Sequence, residues 1–225
     1  MTLIETVVGC LAGAYRLLRP GSILHVDELM KEKITNSKLH DPWFNTADGL
    51  VYSLQGEDRT PTLAITRGSS NPLFQDSKID KYCQQLLQHQ NYRPTSEETQ
   101  RALQAKDTVL IDLTTLILQK GDKESSYLAI NTREYNTLNP DEKRLAQRVY
   151  GNDFAQTMAM FVDAGIRETR VYVLNPKYVY IHAQESALGR ASWLSNFSTN
   201  SLFNANGRDV DDHNALRGVR REFRP

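Results

Sequence analysis

Cysteine is nearly missing from this chain of 225 residues. The two present, Cys10 and Cys83, belong to no C-x-x-C pair and to no Cys/His cluster, which excludes a disulfide framework and a thiolate zinc centre. No run of about 18 apolar residues occurs, so no transmembrane helix is expected. Net charge is missing too: 27 Lys and Arg balance 27 Asp and Glu. A neutral chain has no long-range field toward polyanions, which disfavours nucleic acid and an anionic membrane as partners. Recognised chemical motifs are also absent. There is no G-x-x-x-x-G-K-[ST], no G-x-G-x-x-G and no G-x-S-x-G, and the five histidines, among them His182 at a segment end, are scattered. No cofactor is expected.

What is present is an ordinary folding composition. Hydrophobic residues make up 40% and charged residues 24% of the chain, close to the averages of folded domains. Leu3 to Leu18 has apolar residues at helical spacing, closed by Arg19-Pro20-Gly21, and Glu5 and Arg16 interrupt it. It is expected to be a buried helix rather than a targeting segment, and the cytoplasm is the compartment this reading implies. Val26 to Ile34 is patterned as an amphipathic helix.

Leu50 to Leu54 and Thr62 to Thr66, rich in β-branched and aromatic residues and separated by a polar turn, predict a β-hairpin. Ser77 to Tyr92 carries a helical apolar stripe. Thr95 and Glu98 form a capping-box signature for a helix running to about Ala105. Thr108 to Leu118 is nearly continuous in apolar character, as a doubly buried strand would be, with a buried helix as the alternative. Ser126 to Asn131 reads as a neighbouring strand. Asn139-Pro140-Asp141-Glu142 opens a helix that runs to about Ala164, with a break at Gly151-Asn152 and a stop at Gly165. Arg170 to Leu174 and Tyr178 to His182 are expected to pair as a hairpin around Asn175-Pro176-Lys177. Together these segments predict an α+β (or α/β) fold, a mixed sheet with helices packed on it.

After Ala183 the composition shifts toward Ser, Asn and Arg. The expected organisation is a globular domain over 1–183 and a polar segment over 184–225 that docks on a partner or forms a site. Gly189-Arg190-Ala191-Ser192 is read as a loop opening a helix that carries Trp193, Leu194 and Phe197. Arg217, Arg220, Arg221 and Arg224 would share one face of a helix and, with Arg190 and Arg208, form an anion- or partner-binding set, since guanidinium forks grip carboxylate and phosphate bidentately. The same arginines are alternatively matched by Asp209, Asp211, Asp212 and Glu222. Asp209, Asp211, Asp212 and His213 are the densest set of candidate metal ligands, and the plain alternative is a solvated acidic turn before a helix from Asn214.

The leading functional reading is a binding or regulatory protein that engages a protein partner through this segment, with Trp193, Phe197, Phe203 and Phe223 as anchors. The competing readings are an enzyme acting on a phosphate-bearing small molecule, with Mg²⁺ on the acids at 209–213, and a nucleic-acid-binding protein.

Overall fold

A computed structural model describes residues 2–6, 24–36, 44–67, 93–194, 203–204 and 216–220. In chain order its elements are β1 (Thr2–Thr6), α1 (Val26–Thr35), β2 (Phe44–Gln55), β3 (Thr60–Thr66), α2 (Ser96–Gln104), β4 (Val109–Asp112), β5 (Gln119–Lys120), β6 (Ser125–Asn131), α3 (Pro140–Tyr150), α4 (Phe154–Asp163), β7 (Glu168–Leu174), α5 (Pro176–His182), β8 (Leu188–Leu194), β9 (Phe203–Asn204) and β10 (Leu216–Arg220). The fold is α+β, as the sequence predicts.

An eight-stranded sheet in the order β4-β3-β2-β8-β9-β7-β6-β5 organises the molecule, and β1 pairs with β10 in a separate two-stranded sheet. Within the large sheet every neighbouring pair is antiparallel except β7 with β9. The predicted hairpin forms its second and third strands from the β4 edge, with Leu50 opposite Ile65 and Tyr52 opposite Leu63. Because side chains alternate along a strand, those four residues enter the main core with α1, α3 and α4, whereas Val51 and Ala64 pack with Ala102 of α2 in a smaller cluster. Tyr52 crosses the core and its hydroxyl accepts the Leu174 N–H at 3.3 Å. Burial pushes that hydroxyl's pKa upward.

The helices begin where their capping residues stand. Thr95 accepts from the Glu98 N–H, and the Glu98 carboxylate accepts the Thr95 N–H at 2.7 Å. Asn139 accepts from the N–H groups of Asp141 and Glu142. The break between α3 and α4 falls at Gly151, whose φ of +90° with ψ of 169° is open to glycine alone. Gly165, at φ +77°, follows the end of α4.

Several expectations are corrected. Pro176–His182 is helix α5, not the second strand of a hairpin. Tyr178, Val179, Tyr180 and Ile181 have strand propensity, but Asn175 caps the segment by accepting the Lys177 N–H at 2.9 Å, and Pro176 fixes a helical φ at the first position. Val179 is buried against the core while Ile181 is 54% exposed. Thr108 to Leu118 is neither one long strand nor a helix. Only Val109–Asp112 pairs, at the sheet edge, and the Asp112 carboxylate then accepts the Thr114 N–H at 2.8 Å and turns the chain. Residues 3–6 are strand, not the start of a helix, and residues 7–18 lie outside the described set, as does the helix expected at 77–92. Leu188–Leu194 is strand β8 of the main sheet rather than a loop and helix, and Leu216–Arg220 is strand β10 rather than a helix. In both, the strand partner comes from more than 100 residues away, β2 for β8 and β1 for β10. Local spacing carries no trace of such a pairing.

Candidate functional site

A bulge in β2 creates the most charged place in the described core. Between the pairs Asn45–Trp193 and Gly49–Ala191, β2 contains Thr46, Ala47 and Asp48 where β8 has Ser192 alone. Ser192 spans the mismatch: its hydroxyl donates to the Asp48 carbonyl at 2.8 Å and hydrogen-bonds the Thr46 hydroxyl. The Ala47 N–H donates to the Leu24 carbonyl at 3.0 Å. Bulges re-aim side chains, and here the Asp48 carboxylate reaches the first turn of α1, accepting the Val26 N–H at 2.7 Å. A helix N-terminus suits that charge.

Three basic side chains complete the shell around Asp48, which has no exposed surface. His25 Nδ1 lies 3.5 Å from one carboxylate oxygen, and Arg67 Nε and an Arg148 Nη lie 3.2 and 3.7 Å from the other. Burial alone would raise this carboxyl's pKa. The His25 contact outweighs it, together with the charges on Arg67 and Arg148, and holds the group at about 2. Arg67 also pairs with Asp27 of α1, and its two carboxylate partners raise its pKa against the opposing effect of burial. For Arg148 burial prevails and the shift is downward, helped by repulsion from Arg67. Arg148 donates to the Ile65 carbonyl at 3.2 Å, so α3 is tied to β3 at the same point.

Outside this ionic centre is a cleft of about 270 Å³, lined by Asp27, Arg67, Arg144, Gln147, Arg148 and Asn152 among others. Sequence reading missed all of these, because residues 27, 48, 67 and the pair 144 and 148 come from four separate places, and only Arg144 and Arg148, one turn apart on α3, share a local spacing. The signal present was Asp48 itself, a carboxylate placed just before the strand pattern LVYSL.

The predicted site residues fall differently. Arg190 lies in β8 opposite Leu50, is 3% exposed, and donates to the Gly189 carbonyl at 3.3 Å. Arg217 and Arg220 lie in β10, where they pair with Glu5 and Thr2 in the backbone register. The helical spacing that grouped these two arginines therefore does not apply. Arg208, Arg221 and Arg224 lie outside the described residues, as do Asp209, Asp211, Asp212 and His213. Among the described residues no group of three or more His, Cys, Asp or Glu is placed to hold a metal ion. No helix among them is long and apolar enough to cross a membrane.

No family model matches the chain, and no curated protein matches it. A solved structure does, one described as the accommodation of massive sequence variation in Nanoarchaeota by the C-type lectin fold. The match has a TM-score of 0.65 over 98% of each chain at 16% sequence identity. At that identity the likeness concerns architecture, and the α+β arrangement of this chain is that of the C-type lectin fold.

Proposed function

We propose that this chain is a binding protein that engages a protein partner through its polar C-terminal segment, residues 184–225. The observation that carries this reading is how that sequence is anchored. β8 is a central strand that ends at Leu194, β9 is held between β8 and β7, and β10 pairs with β1. The Asn-, Ser- and Asp-rich stretches 195–202 and 205–215 therefore each start and finish on sheet. A rigid scaffold carrying variable polar connections is the usual arrangement of binding surfaces. The solved structure of the same fold, described as accommodating massive sequence variation, supports it by analogy of fold. Residues 184–225 are on this reading a partner-docking extension whose first strand is built into the sheet, with Arg208, Arg217, Arg220, Arg221 and Arg224 as its cationic set. A cytoplasmic site of action belongs to the same proposal and rests on Glu5 and Arg16, which interrupt the N-terminal apolar stretch where a targeting segment would be apolar throughout.

The test is site-specific photo-crosslinking in an extract of the source cells, with the probe at Asn206 or Asn214 and, as control, at the exposed Gln156 of α4. One discrete adduct from the two tail positions and none from Gln156 is expected. Changing Arg217, Arg220, Arg221 and Arg224 together to Gln keeps much of each stem and removes the charge, and it should abolish the adduct with little change in Tm. An adduct that survives in a variant melting several degrees lower would assign these arginines to internal pairing with the neighbouring acids and overturn the reading.

A further inference from the structure

The cleft beside the ionic centre has donors to spare. Arg67 uses Nε toward Asp48 and one Nη toward Asp27. Arg148 uses one Nη toward both the Ile65 carbonyl and Asp48. Arg144 pairs through one Nη with Asp141. The second Nη of each guanidinium has no hydrogen-bond partner among the described residues, and the Nε of Arg148, whose side chain is 9% exposed, is buried without one. Buried N–H groups left unpaired are costly and uncommon in folded proteins. The side-chain amides of Gln147 and Asn152 add neutral donors to the same walls. Asp27, the acid on those walls, is already engaged by Arg67.

The carboxylates have a second effect. Asp27, Asp48 and Asp141 fix three guanidiniums in place, so a ligand meets donors whose ordering cost is already met in folding. Guanidinium edges match the oxygens of carboxylate and phosphate in a way an ammonium does not.

We propose that the cleft formed by α1, α3 and the β3–β4 edge is a binding site for a small oxyanion, a carboxylate or phosphate group held by Arg67, Arg144 and Arg148. The described residues that line it lie between 27 and 152, and none of them belongs to the C-terminal segment proposed above as the docking surface. Its volume, at the lower margin of ligand pockets, fits the anionic end of a small molecule rather than a polymer. Because three acids already oppose the three arginines, the affinity for a bare ion is modest, on the order of 1 mM.

The experiment follows the Tm and the backbone amide NMR shifts of the full chain against inorganic phosphate, acetate and O-phosphoserine, with sodium chloride at matched ionic strength as reference. Saturable shifts confined to residues 144–152 and 67, and a Tm rise above that given by chloride, are expected from at least one oxyanion. The strongest of the three identifies the natural group as carboxylate, free phosphate or phosphoester. Gln147→Glu supplies a carboxylate inside the cleft and Arg144→Gln removes the most exposed guanidinium, and each should weaken binding about ten-fold. Arg144 is 57% exposed, so its loss leaves folding intact, which circular dichroism checks. Shifts no larger than those of chloride, or oxyanion affinities unchanged in both variants, would overturn the site.

Discussion

Asp48 of strand β2 accepts the backbone N–H of Val26, the first residue of helix α1, at 2.7 Å across 22 residues of sequence. One carboxylate thereby caps a helix, terminates a bulge and neutralises arginines from two further elements. Replacing it with asparagine keeps an acceptor for Val26 but leaves Arg67 and Arg148 in low-dielectric surroundings without their shared counter-charge. Breaking such a pair from one side costs about 3–5 kcal/mol. Asp48→Asn should lower the urea midpoint accordingly, whereas a loss under about 1 kcal/mol would mean that the shell is solvated and the ionic centre contributes little.

The same carboxyl sets an acid limit. Its folded pKa of about 2 lies below the ordinary 3.8, so the unfolded chain binds its proton first, and stability from this group is present above about pH 4 and lost as pH falls toward 2. The depression corresponds to about 2 kcal/mol. Wild type should therefore lose about that much more stability than Asp48→Asn between pH 4 and pH 2. Parallel stability curves for the two proteins in that interval would contradict the assigned shift.

Where a structural signal was local, the sequence carried it. The capping box at Thr95, the Asn139-Pro140 helix start and the glycine break at 151 all depend on residues within four positions of one another, and all stand where they were expected. Where the partner was distant, it was hidden. Residues 188–194 and 216–220 look like loop and helix until β2 and β1 supply the missing ladder, and the charges around Asp48 meet only once α1, β3 and α3 converge. The error at Tyr178 to His182 is of another kind. Asn175-Pro176 carries the same helix-start chemistry as Asn139-Pro140, and this cap prevails over the β propensity of the residues after it, propensity being the weaker guide.

That segment gives a direct contrast. In a hairpin with alternating faces Val179 and Ile181 would share an environment, while in helix α5 the first is buried and the second is 54% exposed. Ile181→Asp should change stability by less than about 0.5 kcal/mol. Val179→Asp should cost several-fold more, and so should Val173→Asp on the buried face of β7, because each would bury an unpaired charge. Equal effects at 179 and 181, measured by chemical denaturation, would restore the hairpin.

Gly151 separates two helices that local propensity would otherwise join. Its φ of +90° and ψ of 169° lie where a side chain is strained, yet the space around it is open enough: an added Cβ would meet the Lys31 side chain at 3.4 Å, an ordinary contact. The cost of Gly151→Ala is therefore conformational rather than steric, about 1–3 kcal/mol. Two relaxations are available to the variant. It can keep the break and bear the strain, or it can extend α3 through residue 151 and shift Phe154, which packs on Tyr150 and Tyr135 in the core. The second would break the Thr157 hydroxyl's bond to the Tyr150 carbonyl, 3.0 Å long, and disturb three aromatic rings at once, so the first costs less. A destabilised variant whose near-ultraviolet circular dichroism matches wild type is the expected result. An unchanged melting temperature would show that the positive φ is not imposed by the fold.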